Sequence, residues 1–134
     1  MTGFRLSVRV YYEDTDAGGV VYHTGYIRYF ERARTEWLRA LGYSQKQLAE
    51  EAGVLFTVVE LTVRYLKPAR LDDTLEVLAQ VGEARRASLA FVQEIRDVAG
   101  ELLAAGQVRV ACVDQRSLRP RRLPAGLAAR VSSR

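Results

Sequence analysis

Cysteine and histidine are nearly missing from this chain. Cys112 is the single cysteine. No intrachain disulfide can form, so a reducing compartment, the cytoplasm, is expected. His23 is the single histidine. A serine triad would have to use it, yet the nearby hydroxyls Thr15, Tyr22 and Thr24 sit in no Gly-x-Ser-x-Gly elbow. Asp14, Asp16 and His23 form the one loop set that invites a metal. One imidazole with two carboxylates is a common loop composition without metal, so neither a metal nor another cofactor is called for. No window approaches the ~18 apolar residues of a membrane-crossing helix. The opening residues MTGFRLSVRVYY carry no apolar run of the kind a secretion signal needs. No glycine-rich phosphate loop is present.

What is there is a single-domain composition. The chain has 134 residues and is 49% hydrophobic, enough for one real core. Its net charge of +4 mixes 20 basic with 16 acidic residues, which does not require nucleic acid. Lys46 and Lys67 are the only lysines, and the remaining basic residues are arginines. Guanidinium forks suit phosphates, so an anionic handle on a substrate is one reading, and an arginine-rich solvated surface is the other.

Hydrophobic periodicity sets the architecture. Residues 4 to 12 alternate, which predicts a half-buried strand, and a turn follows over 13 to 22. Tyr26, Ile27, Phe30, Ala33, Trp37, Leu38 and Leu41 recur at spacings of three and four, predicting a long helix over 24 to 41 that stops at Gly42. Ser44 caps a short second helix, 45 to 51, ended by Gly53. Residues 54 to 66 predict a long strand with Leu55, Val59, Leu61, Val63 and Tyr65 on one face and Glu60, Thr62 and Arg64 on the other. Three more strands follow, from about Leu75 to Val81, Ala87 to Arg96 and Leu102 to Asp114, with a hairpin turn at Asp97–Gly100. Their links are too short for parallel crossovers. One helix against an antiparallel sheet is an α+β layer. Residues 1 to 115 make a single domain. Arg116 to Arg134, with Pro120 and Pro124, reads as an irregular tail with room for a turn of helix near Leu127.

The most informative stretch is YYEDTDAGGVVYHTGYIRYFERARTEWLRAL, residues 11 to 41. It turns through Asp14, Asp16, Gly18 and Gly19 and enters the long helix. The first amides of a helix have no internal acceptor and carry the positive end of the macrodipole. A carboxylate just upstream of them is a pairing that acyl-transfer chemistry uses. The two glycines admit a ligand close to the backbone. The plain alternative for Asp16 is an Asx turn holding the loop, and for Asp14 a loop or surface carboxylate. Cys112, mid-strand among apolar neighbours, reads as core.

The run Tyr12-Glu-Asp-Thr-Asp-Ala-Gly-Gly-Val-Val-Tyr-His23, with Tyr26 and then Glu31-Arg-Ala-Arg-Thr-Glu36-Trp37, resembles the hotdog-fold acyl-CoA thioesterases. It is most similar to the subgroup found beside the Tol-Pal genes, related to 4-hydroxybenzoyl-CoA thioesterase. The likeness covers about residues 5 to 115. It implies a hotdog fold, a five-stranded antiparallel sheet wrapped around one long helix. It implies hydrolysis of an acyl-CoA, with acyl carrier protein as an alternative donor, and a homodimer or homotetramer with sites at the subunit boundary. It makes the carboxylate at Asp16 catalytic and the amide at His23 the group that polarises the thioester carbonyl. Relatives commonly carry asparagine where this chain has Gly25, so no side-chain role is expected there.

Around Asp16 and His23, the residues Tyr12, Gly19, Tyr22 and Thr24 are candidates for the acyl pocket. Arg64, Lys67, Arg85, Arg86 and Ser88 are candidates for the CoA end. For Tyr12 and Tyr22, plain packing is the alternative; for the basic residues it is surface charge. Two rival functions stand beside hydrolysis. One is a non-catalytic acyl-CoA or acyl-carrier-protein sensor, with the arginine-rich tail touching an acidic partner; no helix-turn-helix supports nucleic acid. The other is a hydratase or dehydratase, for which a lone His23 in this motif is a poor match.

Overall fold

The computed structural model describes residues 3–132. Five strands form one antiparallel sheet: β1 Phe4–Arg9, β2 Val54–Tyr65, β3 Thr74–Ala84, β4 Ser88–Arg96 and β5 Leu102–Asp114. Their spatial order is β1-β3-β4-β5-β2, so β1 and β2 are the edges. Helix α1, His23–Ala40, lies on one face of the sheet. Helix α2, Gln45–Ala52, leads into β2, and its N-cap is the Ser44 hydroxyl, which accepts from the Gln47 amide at 3.1 Å. A third helix, α3, covers Ala125–Ser132.

The buried face of α1 presents Tyr26, Tyr29, Phe30, Ala33, Trp37 and Leu38. Opposite them the strands offer Leu75, Val77 and Ala79, then Leu89, Phe91 and Ile95, then Ala104, Val108, Val110 and Cys112. These sets alternate along β3, β4 and β5 as period-two patterning requires. Phe30 sets how closely helix and sheet approach. A Cβ at Gly106 would sit 2.6 Å from its ring, so only glycine fits beneath it. Trp37 meets Phe91 edge to face at 5.0 Å. Gln93 is fully buried but satisfied: its amide donates to the Phe30 carbonyl at 3.1 Å, and its oxygen accepts from Arg34 at 2.9 Å.

Three expectations change. The first strand stops at Arg9, and Tyr12–Asp14 form a 3-10 turn instead of continuing it. The Asp14 carboxylate causes this by reaching back to the Tyr11 amide at 2.9 Å. In β2 the register against β5 slips between Val58 and Glu60. This bulge reverses the side-chain parity. Phe56 and Val58, opposite Cys112 and Val110, share the inner face with Leu61, Val63 and Tyr65, while Leu55 and Val59 leave it.

The tail is the third change. It is not irregular, because α3 places Leu127 at 0% exposure with Leu123 and Val131 also buried in the same core. The spacing of four among these residues is helical. The Leu123 amide donates to the Arg86 carbonyl at 2.9 Å, and Arg121 bonds both Asp114, at 2.7 Å, and the Ala52 carbonyl, at 3.1 Å. The domain therefore runs past residue 115.

Candidate active site

The loop before α1 is a small hairpin. Thr15 pairs with Val21 in an antiparallel bridge, flanked by Asp16 N–H to Val20 O at 2.9 Å and Tyr22 N–H to Asp14 O at 2.9 Å. Its tip closes through the Gly19 amide on the Asp16 carbonyl at 3.0 Å, with Gly19 at φ +77°, a conformation open to glycine. One side of the hairpin is pinned to the segment between β2 and β3. The Val21 amide donates to the Ala69 carbonyl at 2.8 Å, and the Ala69 amide donates to the Tyr26 hydroxyl at 2.9 Å. The tip is thus a fixed platform.

Asp16 is exposed on that platform. One carboxylate oxygen accepts from the Gly18 amide at 2.8 Å, so the Asx turn is present. The turn uses Oδ1 and orients the group without consuming the second oxygen. Seven residues on, α1 begins. Its N-cap Tyr22 supplies no side-chain bond. The Tyr22 and Gly25 amides have acceptors, Asp14 O and Tyr22 O, whereas those of His23 and Thr24 have none among the described residues. Two free donors at the positive end of an 18-residue helix are suited to an oxygen that gains negative charge.

Asp16 and His23 line the same open cleft, about 390 Å³, together with Val21, Tyr22, Tyr26, Tyr65, Leu66, Lys67 and Pro68. Tyr22 and His23 rings lean on each other at 4.3 Å. Tyr65 donates its hydroxyl to the His23 carbonyl at 2.9 Å and meets Tyr26 edge to face. Burial first, and then Tyr26, pushes the Tyr65 phenol above its ordinary pKa, so it stays protonated and keeps that bond. Lys67 pairs with Glu101, whose hydrogen bond raises the ammonium pKa.

Of the residues singled out from the sequence, Asp16, Tyr22, His23 and Lys67 come together here. Thr24 is half-buried at the helix start, and Gly19 is at the hairpin tip. Tyr12 is 83% exposed on the 3-10 turn and does not line the cleft. Arg64 lines a shallow groove on the sheet's outer face with Val92 and Glu94. Arg85, Arg86 and Ser88 lie between and at the ends of β3 and β4, with Arg85 3.3 Å from Glu83. They form no part of the cleft within one chain. Tyr65, Leu66 and Pro68 were not among the sequence candidates; the only local sign was an exposed tyrosine and leucine where β2 gives way to Pro68.

Asp14 reads differently in three dimensions. It is 3% exposed rather than at the surface. Among the described residues, no three His, Cys, Asp or Glu side chains gather as a metal site needs, and no helix is long and apolar enough to cross a membrane.

A five-stranded antiparallel sheet in the order β1-β3-β4-β5-β2 packed on one long helix is the hotdog fold, here with a carboxylate and a helix start lining one cleft. A model of the thioesterase-like superfamily matches residues 10–131, and the chain belongs to that superfamily. Within it the chain falls in the YbgC-like subgroup of the 4-hydroxybenzoyl-CoA thioesterase family. It is 50% identical to the acyl-CoA thioester hydrolase YbgC of Escherichia coli O6:H1 over 96% of this chain and 95% of that one. It is 47% identical to the acyl-CoA thioesterase YbgC of Haemophilus influenzae over 91% and 89%. The 1,4-dihydroxy-2-naphthoyl-CoA thioesterase Slr0204 of Synechocystis superposes with a TM-score of 0.90, covering 98% of this chain and 96% of that one at 23% identity, a likeness of fold.

Proposed function

We propose that the protein hydrolyses acyl-CoA thioesters, with Asp16 as the carboxylate that drives the reaction. The observation that carries this is the shared cleft, lined both by the exposed Asp16 and by the start of a helix whose first two amides are unbonded among the described residues. The carbonyl oxygen of the thioester takes those amides as donors and gains charge there as the acyl carbon becomes tetrahedral. Asp16 supplies the attack, either directly to give a mixed anhydride or by taking a proton from water. The departing thiol has a pKa near ~8.5 for a cysteine-like group, so it leaves as thiolate without a strong acid. This agrees with a cleft whose one histidine need not act as an acid.

The CoA end extends along Lys67 and the arginines, with Arg85 and Arg86 taking nucleotide phosphates by guanidinium forks. Those arginines lie outside the cleft of one chain, which supports a site completed by a second copy. The β2 edge supports the same reading. It is 12 residues long against six for β1, and Val58, Val59, Leu61 and Tyr65 are exposed along it. A long apolar edge is a pairing surface that a monomer would have to cover. The assembly is then a homodimer through β2, or a homotetramer of such pairs. An acyl carrier protein donor presents the same thioester and fits the same cleft. The expected compartment is the cytoplasm.

Asp16→Asn tests the reading. Thiol release from a panel of acyl-CoAs should fall at least about 100-fold in kcat, the scale of a lost general base, with the melting temperature held. Wild-type turnover by a folded Asp16→Asn enzyme would remove the assignment.

A further inference from the structure

Asp14 is a buried charge that the chemistry above does not use. Its side chain is 4% exposed, and burying a carboxylate is costly unless it is paired and hydrogen-bonded. Its contacts all concern the same object. Oδ2 accepts from the Tyr11 amide at 2.9 Å and fixes the 3-10 turn. Its own carbonyl accepts from the Tyr22 amide at 2.9 Å, the residue that caps α1. Oδ1 lies 3.7 Å from the Arg28 guanidinium, one turn into α1. The Tyr29 hydroxyl is buried without a hydrogen bond of acceptable geometry, yet Asp14 is near enough to add to the rise that burial causes in its pKa. One residue thus touches the base of the Asp16 hairpin, the cap of α1 and the second turn of α1.

We infer that Asp14 is a positioning residue. It holds the Asp16 platform in register with the amides of His23 and Thr24. Hydrolysis needs the attacking oxygen and the oxyanion donors on the same acyl group, and those two parts sit on different pieces of chain. The hairpin ladder joins them along one line, and Val21 and Tyr26 tie both to Ala69 on one side. Asp14 adds a separate attachment, from the turn at Tyr11 across to Arg28, and that limits pivoting of the hairpin against the helix. Misplacement by about 1 Å costs on the order of 100-fold in rate even when the substrate still binds. The inference rests on the reading of Asp16 given above.

The test compares Asp14→Ala, Asp14→Asn, Arg28→Met and Asp16→Asn, with kcat and KM measured per folded molecule on one acyl-CoA. Asp14→Ala loses the Tyr11 bond and the charge, and its kcat should fall about 100-fold with KM within about threefold. Asp14→Asn keeps an oxygen for the Tyr11 amide and should recover part of that loss, to about 10-fold below wild type. Arg28 is half exposed, so Arg28→Met should fold and should lower kcat about threefold or more. If the Asp14 variants do not fold, Arg28→Met decides alone, and wild-type kcat in it overturns the inference. It is also overturned if the Asp14 variants fold and turn over like wild type while Asp16→Asn is inactive. Should Asp16→Asn itself keep full turnover, it is the assignment of the site that fails, a different result.

Discussion

The two ends of α1 are treated in opposite ways. At the C-terminal end three carbonyls are taken up by partners outside the regular helix ladder. Leu38 O accepts from Leu41 and Tyr43, Arg39 O from Gly42, and Leu41 O from Arg130 of α3 at 2.9 Å. The apolar residues Leu123, Leu127 and Val131 close the layer beside it. At the N-terminal end the cap residue is a tyrosine with no side-chain bond, the His23 and Thr24 amides have no acceptor among the described residues, and His23 lines an open cleft. A helix optimised only for stability would carry Ser, Thr, Asp or Asn at position 22. The far end shows that this chain can finish a helix, and the near end is left open, as the role proposed for its amides requires.

Damage at the closed end should cost stability and leave chemistry alone. Leu127→Ala empties a site at 0% exposure, and should lower the unfolding free energy by about 3 kcal/mol. Urea titration would show this, while kcat measured well below the melting temperature stays within about twofold of wild type. A large loss of kcat there would mean that the two ends are not separable.

Completing the open end should do the reverse. Tyr22→Ser supplies a hydroxyl for the Thr24 amide, worth up to about 1 kcal/mol of helix stability. Turnover should fall about 10-fold or more because a donor is consumed. Thermal melts and thiol-release kinetics on the same preparation give both numbers, and a stabilised variant with intact kcat would contradict the role given to those amides.

The smallest effect concerns acid. Asp114, where β5 hands over to the tail, is held down to about 2, first by the Ser117 and Arg116 amides and further by Arg121. A carboxyl depressed in the folded state contributes stability that is complete above its ordinary pKa of ~3.9 and is lost as pH falls through about 2. Between pH 4 and pH 2 the wild-type melting temperature should therefore drop more than that of Asp114→Asn. Parallel slopes would show that the tail is not anchored through this group.

How much of this was readable in the residues follows from locality. Asp16, Gly19 and His23 lie within eight positions, and turn chemistry and helix-start physics act over that distance, so the turn at Asp16 and the helix that follows it are legible in the residues. Asp14 was not, since a lone acid in a polar loop looks solvated until α1 folds back over it. Tyr65 reaches His23 from 42 positions away, a contact only strand order can create. The tail was misjudged because Pro120, Pro124 and its arginines outweighed the four-residue spacing of Leu123, Leu127 and Val131, and that spacing becomes decisive only once a layer exists to be closed. The switch of faces in β2 depends on one unpaired position, which alternation by itself cannot locate.

That extra position in β2 also sets how the strand tolerates changes in length. Val59 is the residue without a counterpart across the ladder, so removing it would close the bulge and leave one unbroken alternation, with Phe56, Val58, Leu61, Val63 and Tyr65 still on the same face. The strand carries one residue more than its partner can count. Loss of that residue straightens the ladder, whereas a substitution at Val59 alters only a surface.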